Sequence, residues 1–477
     1  MRLLELPAQQ PLAGVARLPL LAHPREQGDG GLRAGRLGAD RGGARGPGRP
    51  ELAPDGGPRP RLDVLALGAR EGAPAAAHAG REDRRPARGA GLVSEASPLT
   101  PESLLAEARA QTGLEDFGDP AFHEGLRVLC ETYEGEAALS PAGRKRTRRR
   151  LVQLLATRLR VEAAWRRHPE ARAVPIRRPV YLTGLPRTGT SALFNLLAAD
   201  PRHRPLLLWE GLFPDPLEGL PPGAPDPRRE ALRKLNERDR AKNPEFDKIH
   251  YVTVDMPEEC VLLQAHAFCD AQMGIEPLME PYASWFQRQD LRPAYRYYAD
   301  LLRLLQWQRP GERWLLKSPA HLWALDVLVE IFPDVCLVWT HRDPLEILPS
   351  YCSMMAMLMA IRSSLDPKRL GPTVLEYLAR SLERALAARE RMDPARVLDV
   401  DYRAFVADPL AQARRVYAHF ELPLDPTTED ALARHARENP QGKHGAHRYT
   451  LDEYGLEPER VRERLRFYTE RFEVQTH

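Results

Sequence analysis

The chain has 477 residues, 43% of them hydrophobic, and 69 Lys and Arg against 66 Asp and Glu give a formal net charge of +3. Such near-neutrality supplies no global field of the kind that draws a protein onto nucleic acid. No run of 18 apolar residues occurs, which argues against a membrane-spanning helix, and Glu5 and Pro7 interrupt the first residues before a signal-peptide core can form.

Residues 1–97 lack Lys, Phe, Tyr, Trp, Ile, Asn, Thr and Cys and are dominated by Arg, Ala, Gly, Pro and Leu. A segment of that composition cannot bury much core, so it reads as a disordered low-complexity leader. It is either an arginine-rich arm for anionic partners or a stretch outside the true protein, and composition favours the second. Order is expected from Thr100-Pro101, a helix cap followed by a proline at the first helical position. Two further helices are predicted over 122–133 and 148–166. The run Arg144-Lys145-Arg146-Thr147-Arg148-Arg149-Arg150 has no interleaved aromatics and reads as a solvated helix face.

From residue 179 short apolar strands alternate with helices. Strands are predicted at 180–183, 205–209, 314–317, 335–340 and 397–400. Helices are predicted at 191–199, 228–242, 258–268, 293–308, 321–332, 345–361, 374–391 and 409–420. This order implies an α/β fold: a P-loop-type parallel sheet flanked by helices, with a helical lead-in over 98–178 and a mostly helical insertion over 212–312. Ligands in such sheets bind beyond the carboxyl ends of the strands. Cys130, Cys260, Cys269, Cys336 and Cys352 are odd in number and lack metal-ligand spacing, so they read as thiols in a reducing compartment, the cytoplasm.

Three segments carry chemistry. In the first, strand Val180–Thr183 leads into Gly184-Leu185-Pro186-Arg187-Thr188-Gly189-Thr190-Ser191 and then an apolar helix. Successive backbone N–H groups and a helix N-terminus there surround one small volume, an oxyanion cradle. The spacing of Gly184 and Gly189 matches a Walker A loop, but Thr190 stands where a triphosphatase needs lysine, and the loop's cation is Arg187. In the second, Trp314-Leu315-Leu316-Lys317-Ser318-Pro319 brings a lysine to the end of a strand. Only seven lysines accompany 62 arginines, so this one stands out as a group to neutralise charge on a transferring moiety. In the third, a strand ends in His341-Arg342-Asp343-Pro344, and Ser350 follows about two helical turns past Pro344. Arg342 and Ser350 are placed to grip a further phosphate, the arginine with its bidentate fork.

Taken together, the three segments resemble the sulfotransferases that use 3′-phosphoadenosine 5′-phosphosulfate (PAPS). The likeness runs from about Thr100 to the C-terminus and is greatest to the bacterial branch with Pro-Arg-Thr-Gly-Thr loops, Leu-Lys-Ser-Pro strands and His-Arg-Asp-Pro turns. The resemblance implies that Arg187, Thr188, Gly189, Thr190 and Ser191 hold the 5′-phosphosulfate, with Arg187 also acting in catalysis. It implies that Arg342 and Ser350 hold the 3′-phosphate and that Lys317 is the active-site lysine. Lys443, in Gly442-Lys443-His444-Gly445, corresponds to a basic loop near the family's end. No metal is implied. The acceptor is expected to be a hydroxyl on a small molecule or glycan, with an amine as second choice. Its proton needs a base. The tyrosyl-protein and carbohydrate branches place a glutamate just past the second strand, which points to Glu210, with His321 as the alternative. Glu258, Glu259 and His266 lie on the insertion, where Glu259 could face the sheet. The aromatic residues of the insertion, among them Tyr251, Tyr282, Trp285 and Tyr298, read mainly as helical core. Two other readings compete, a P-loop kinase using ATP and a nucleotide-binding relative without activity. The missing Walker lysine and the Arg342/Ser350 pair argue against the kinase.

Overall fold

The computed structural model describes residues 98–220, 224–242, 253–275, 280–360, 366–439 and 450–475. The leader over 1–97, Tyr251 and Lys443 lie outside the described residues.

Three helices open the fold: α1 (Pro101–Thr112), α2 (Phe122–Gly135) and α3 (Pro141–Arg167). Thr100 Oγ1 accepts the N–H of Ser103, and Gly113 closes α1 in the left-handed region at φ +68°. Helix α3 starts earlier than the hydrophobic pattern suggests, because Ser140 caps it and the basic run is itself helical. Arg144 pairs with Glu134, and Arg148 Nε donates to Glu107 at 2.8 Å, so part of that run ties α3 to its neighbours.

Five parallel strands follow: β1 (Val180–Gly184), β2 (His203–Pro205), β3 (Arg313–Lys317), β4 (Cys336–His341) and β5 (Val397–Asp401), in the order β2-β3-β1-β4-β5. Every residue of β1 and β4 is buried, as a sheet covered on both faces requires. The two-residue side-chain period divides them. Tyr181, Leu316, Leu337 and Trp339 join the core shared with α1–α3 and the insertion helices. Val180, Leu182, Leu315 and Val338 join a second core with helices Thr190–Leu197 (α4) and Pro409–His419.

The second strand is shorter than the sequence suggests. It ends at Pro205, which lacks a ladder N–H, and Leu208–Leu212 forms a short helix in place of strand. The backbone beyond Pro205 pairs instead with the insertion: Leu208 N–H donates to Met256 O and Glu258 N–H to Leu206 O. The predicted helix over 258–268 shrinks to Val261–Gln264 plus a 3-10 turn at Ala265–Ala267. Its first residues are drawn onto the sheet, where Cys260 N–H donates to Lys317 O at 3.0 Å. The stretch predicted as a helix from 321 divides into a 3-10 turn, Pro319–Ala324, and a helix, Leu325–Ile331. The helix predicted from 374 starts at Pro367, capped by Asp366. Tyr282, Trp285, Phe286, Tyr295, Tyr297 and Tyr298 of the insertion are core residues. Among the described residues no helix is long and apolar enough to cross a membrane.

Candidate functional site

Parallel strands place all their carboxyl ends on one edge, and the sequence motifs meet there. Between β1 and α4 the chain makes a tight loop with Gly184 at φ +142°, Arg187 at +69° and Gly189 at +85°. A Cβ on Gly184 would sit 2.5 Å from Thr340 O, and one on Gly189 would sit 2.9 Å from the Tyr402 ring, so both positions need glycine. No side chain caps α4, and helix geometry leaves the amides of its first two residues, Thr190 and Ser191, without an intrahelical acceptor. Thr188 is buried. Its hydroxyl donates to Leu185 O at 2.6 Å and pairs with the Thr340 hydroxyl at 2.6 Å. That hydroxyl therefore braces the loop, and only the amide of Thr188 remains for an anion.

Lys317 ends β3 beside this loop. Its Nζ donates to Ser191 Oγ at 3.0 Å and to Glu259 Oε1 at 2.7 Å, and lies 5.7 Å from the centre of the Phe194 ring. The Cys260–Lys317 backbone bond described above brings Glu259 here. Lys317 is thus the hub that joins the phosphate-loop helix, β3 and the insertion. Next to Glu259, burial raises the Glu258 carboxyl above the usual carboxylate range, with Lys317 opposing and Glu259 adding to the rise.

The third motif closes the other side. Arg187 is exposed, and its Nε donates to Ser350 Oγ at 3.1 Å from helix Pro344–Ala360. Arg342 turns toward the loop, its Nη1 donating to Arg187 O at 3.0 Å. Its Nε donates to Glu346 at 2.7 Å, and its guanidinium lies 4.1 Å from the centre of the Tyr402 ring. Arg187, Thr188, Gly189, Thr190, Ser191, Lys317, Arg342 and Ser350 are therefore brought together at the carboxyl edge of the sheet.

Glu210 and His321 do not join them. Glu210 is 1% exposed and spends its carboxylate on Arg204 Nη2 at 2.9 Å, Arg309 Nε at 2.8 Å, Arg309 Nη2 at 3.0 Å and the Leu207 N–H at 3.1 Å. A carboxylate so committed is an internal counter-ion, not a free base. It answers the burial of Arg204, whose guanidinium lies 3.8 Å from the centre of the Trp314 ring. His321 is fully buried. Its Nδ1 meets Tyr295 Oη at 2.9 Å, its ring stands against Tyr181 and Tyr298, and burial pushes its pKa down to about 3. His266 is likewise interior, with its pKa pushed down to about 4 by burial.

Sequence reasoning underrated Glu259 and missed Tyr402 and Glu346. Glu346 lies four residues past Arg342, a helical spacing that signals an ion pair. Tyr402 follows the end of β5, so its position at a strand terminus was the only signal it gave.

The profile described as "Sulfotransferase family" matches residues 179–426. The crystal structure of sulfotransferase STF1 from Mycobacterium tuberculosis H37Rv is similar at 34% identity and a TM-score of 0.69, covering 77% of this chain and 98% of that one. Sulfotransferase STF9 from Mycobacterium avium is similar at 29% identity and a TM-score of 0.72, covering 79% and 97%. The omega-hydroxy-beta-dihydromenaquinone-9 sulfotransferase Stf3 of Mycobacterium bovis is 26% identical over 263 residues, 51% of this chain. The chain spans 63% of the length of that curated relative.

Proposed function

The chain belongs to the sulfotransferase family, and on that premise we propose that it transfers a sulfuryl group from PAPS to a hydroxyl. The observation that carries this reading is the contact between two anion grips, with Arg342 Nη1 on the carbonyl of Arg187 inside the glycine loop. A donor bearing phosphate at both its 3′ and 5′ positions matches two adjoining grips, whereas ATP needs one longer cradle and a Walker lysine. When bound, PAPS supplies an activated sulfuryl group.

The chain's own groups divide the remaining work. The amides of residues 187–191 and the α4 N-terminus would hold the 5′ side, with Arg187 balancing charge above them. Arg342 and Ser350 would hold the 3′-phosphate. Lys317, anchored to Ser191, is the cation that offsets charge developing on the departing phosphate oxygen. For the proton of the acceptor we assign Glu259 in place of Glu210. Its carboxylate is partly exposed and touches Lys317, while Glu210 is spent.

The acceptor is read as a hydroxyl on an apolar chain. On helix Pro344–Ala360, Met354 and Met357 lie on the same face as Ser350, four and seven residues on, and both are half-buried. They form an apolar track of about 10 Å leading away from the loop. The curated relative of Mycobacterium bovis is named for a hydroxylated dihydromenaquinone, which supports this choice over a glycan. The five free thiols fit a reducing compartment, and we assign the protein to the cytoplasm.

Calorimetry with adenosine 3′,5′-bisphosphate against ADP tests the donor. Tighter binding of the bisphosphate is expected, and equal binding would refute the two-grip reading. Label transfer from ³⁵S-PAPS to long-chain alcohols, with oligosaccharides in parallel, tests the acceptor.

A further inference from the structure

Arg342 is fixed at two points. Its guanidinium is held by Glu346 and the loop carbonyl, while its backbone N–H donates to Tyr468 Oη at 3.4 Å. Tyr468 comes from the C-terminal helix Arg466–Arg471 and is fully buried. Its hydroxyl also lies 3.3 Å from His341 Nδ1. On the far side of that ring, His341 Nε2 is 2.8 Å from Asp399 Oδ1, and Asp399 is held by Arg389 through Nη1 at 2.9 Å.

The carboxylate sets the direction of the whole chain. Asp399 can only accept, so His341 Nε2 carries the hydrogen and Nδ1 is the acceptor. Tyr468 then donates its one proton to Nδ1, and its oxygen accepts the Arg342 N–H. The ring of His341 stacks on Phe472 with centroids 3.9 Å apart, so the same C-terminal segment fixes it by packing as well.

We propose that Tyr468 is a positioning residue for recognition of the donor's 3′-phosphate, its hydroxyl anchoring the backbone from which Arg342 reaches that group. The inference rests on the donor reading above and adds a remote part of the chain to that site. The anchor decides where the Arg342 side chain begins, and Glu346 decides where it ends.

The test is calorimetry of full-length protein with adenosine 3′,5′-bisphosphate and with AMP, which lacks the 3′-phosphate. Tyr468→Phe keeps the ring and removes one hydrogen-bonding group, so bisphosphate affinity is expected to fall about tenfold or somewhat less. AMP affinity should stay within about twofold, because the contacts to the 5′ side are untouched. In an Arg342→Ala background the same substitution should have no further effect on bisphosphate binding. Leu129→Ala, in the buried face of α2 and away from this chain of contacts, serves as the structural control, lowering the unfolding midpoint while leaving the ratio of the two affinities unchanged. An unchanged ratio in Tyr468→Phe, or additivity with Arg342→Ala, overturns the proposal. Wild-type protein that fails to prefer the bisphosphate overturns the donor reading itself, and this proposal with it.

Discussion

Two buried charged residues, Lys317 and Glu210, separate function from stability at the scale of single residues. Lys317→Ala removes the cation that joins Ser191 and Glu259. Turnover should fall by about 10²–10³, as for loss of one preorganised charge-stabilising donor, while bisphosphate affinity changes only a few-fold. Single-turnover kinetics beside calorimetry would check it, and unchanged turnover would take Lys317 out of the chemistry. Glu210→Gln should do the reverse. It strips the counter-charge from Arg204, whose pKa burial pulls down to about 9, and leaves a buried cation only half-answered. Losing one partner of a buried pair costs about 3–5 kcal/mol, so the urea midpoint should drop while the folded fraction turns over at a near-normal rate. Severe loss of turnover without loss of stability would restore Glu210 as the base. The motif residues at 187–191, 317, 342 and 350 were legible in the sequence because their types and spacing report local backbone geometry. The pairing of Glu259 with Lys317 was not, because the bond that brings them together joins backbone groups 57 residues apart in the chain.

At the scale of elements, the site depends on strand ends and on what terminates them. The β1–α4 loop holds Gly189 at φ +85° against the Tyr402 ring. Gly189→Ala would add about 1–2 kcal/mol of left-handed strain and force that ring away from Arg342. Bisphosphate affinity should fall by about tenfold or more, measurable by the same calorimetry, because both grips are disturbed at once. Unaltered affinity would mean that the loop does not set the spacing between them. Strand β2 shows where local pattern misleads. An apolar run through Leu206–Leu208 satisfies the period of a strand, but Pro205 cannot continue the ladder, and residues 254–258 of the insertion capture the next backbone groups. The same capture shortens the helix predicted from 258, and so one long-range pairing accounts for both departures.

Across the whole molecule, several histidines are buried in neutral form. Burial lowers the pKa of His321 to about 3 and of His266 to about 4, and it also depresses His203 and His341. The unfolded chain binds protons at these sites near pH 6.5 while the folded chain does not, so stability falls as pH drops below about 6.5. Each such histidine contributes up to about 1.4 kcal/mol per pH unit until its folded pKa is reached. The urea midpoint should therefore decline from pH 7 to pH 5, and His321→Gln should flatten the slope by up to one proton. A slope unaffected by that substitution would show that His321 is not neutral when folded. A chain starting at residue 98 should keep the unfolding midpoint and turnover of the full length, and a large loss of either would give the arginine-rich leader a role. The α/β class and the placing of three motifs at strand ends could be read from the chain alone, because glycine loops, caps and strand-terminal cations are short-range features that few neighbours can override. Tertiary structure alone decided which acid faces Lys317, that Glu210 and His321 are interior, and that Tyr468 anchors Arg342. Those outcomes depend on burial and on partners distant in the chain, and neither is written in the spacing of residues along it.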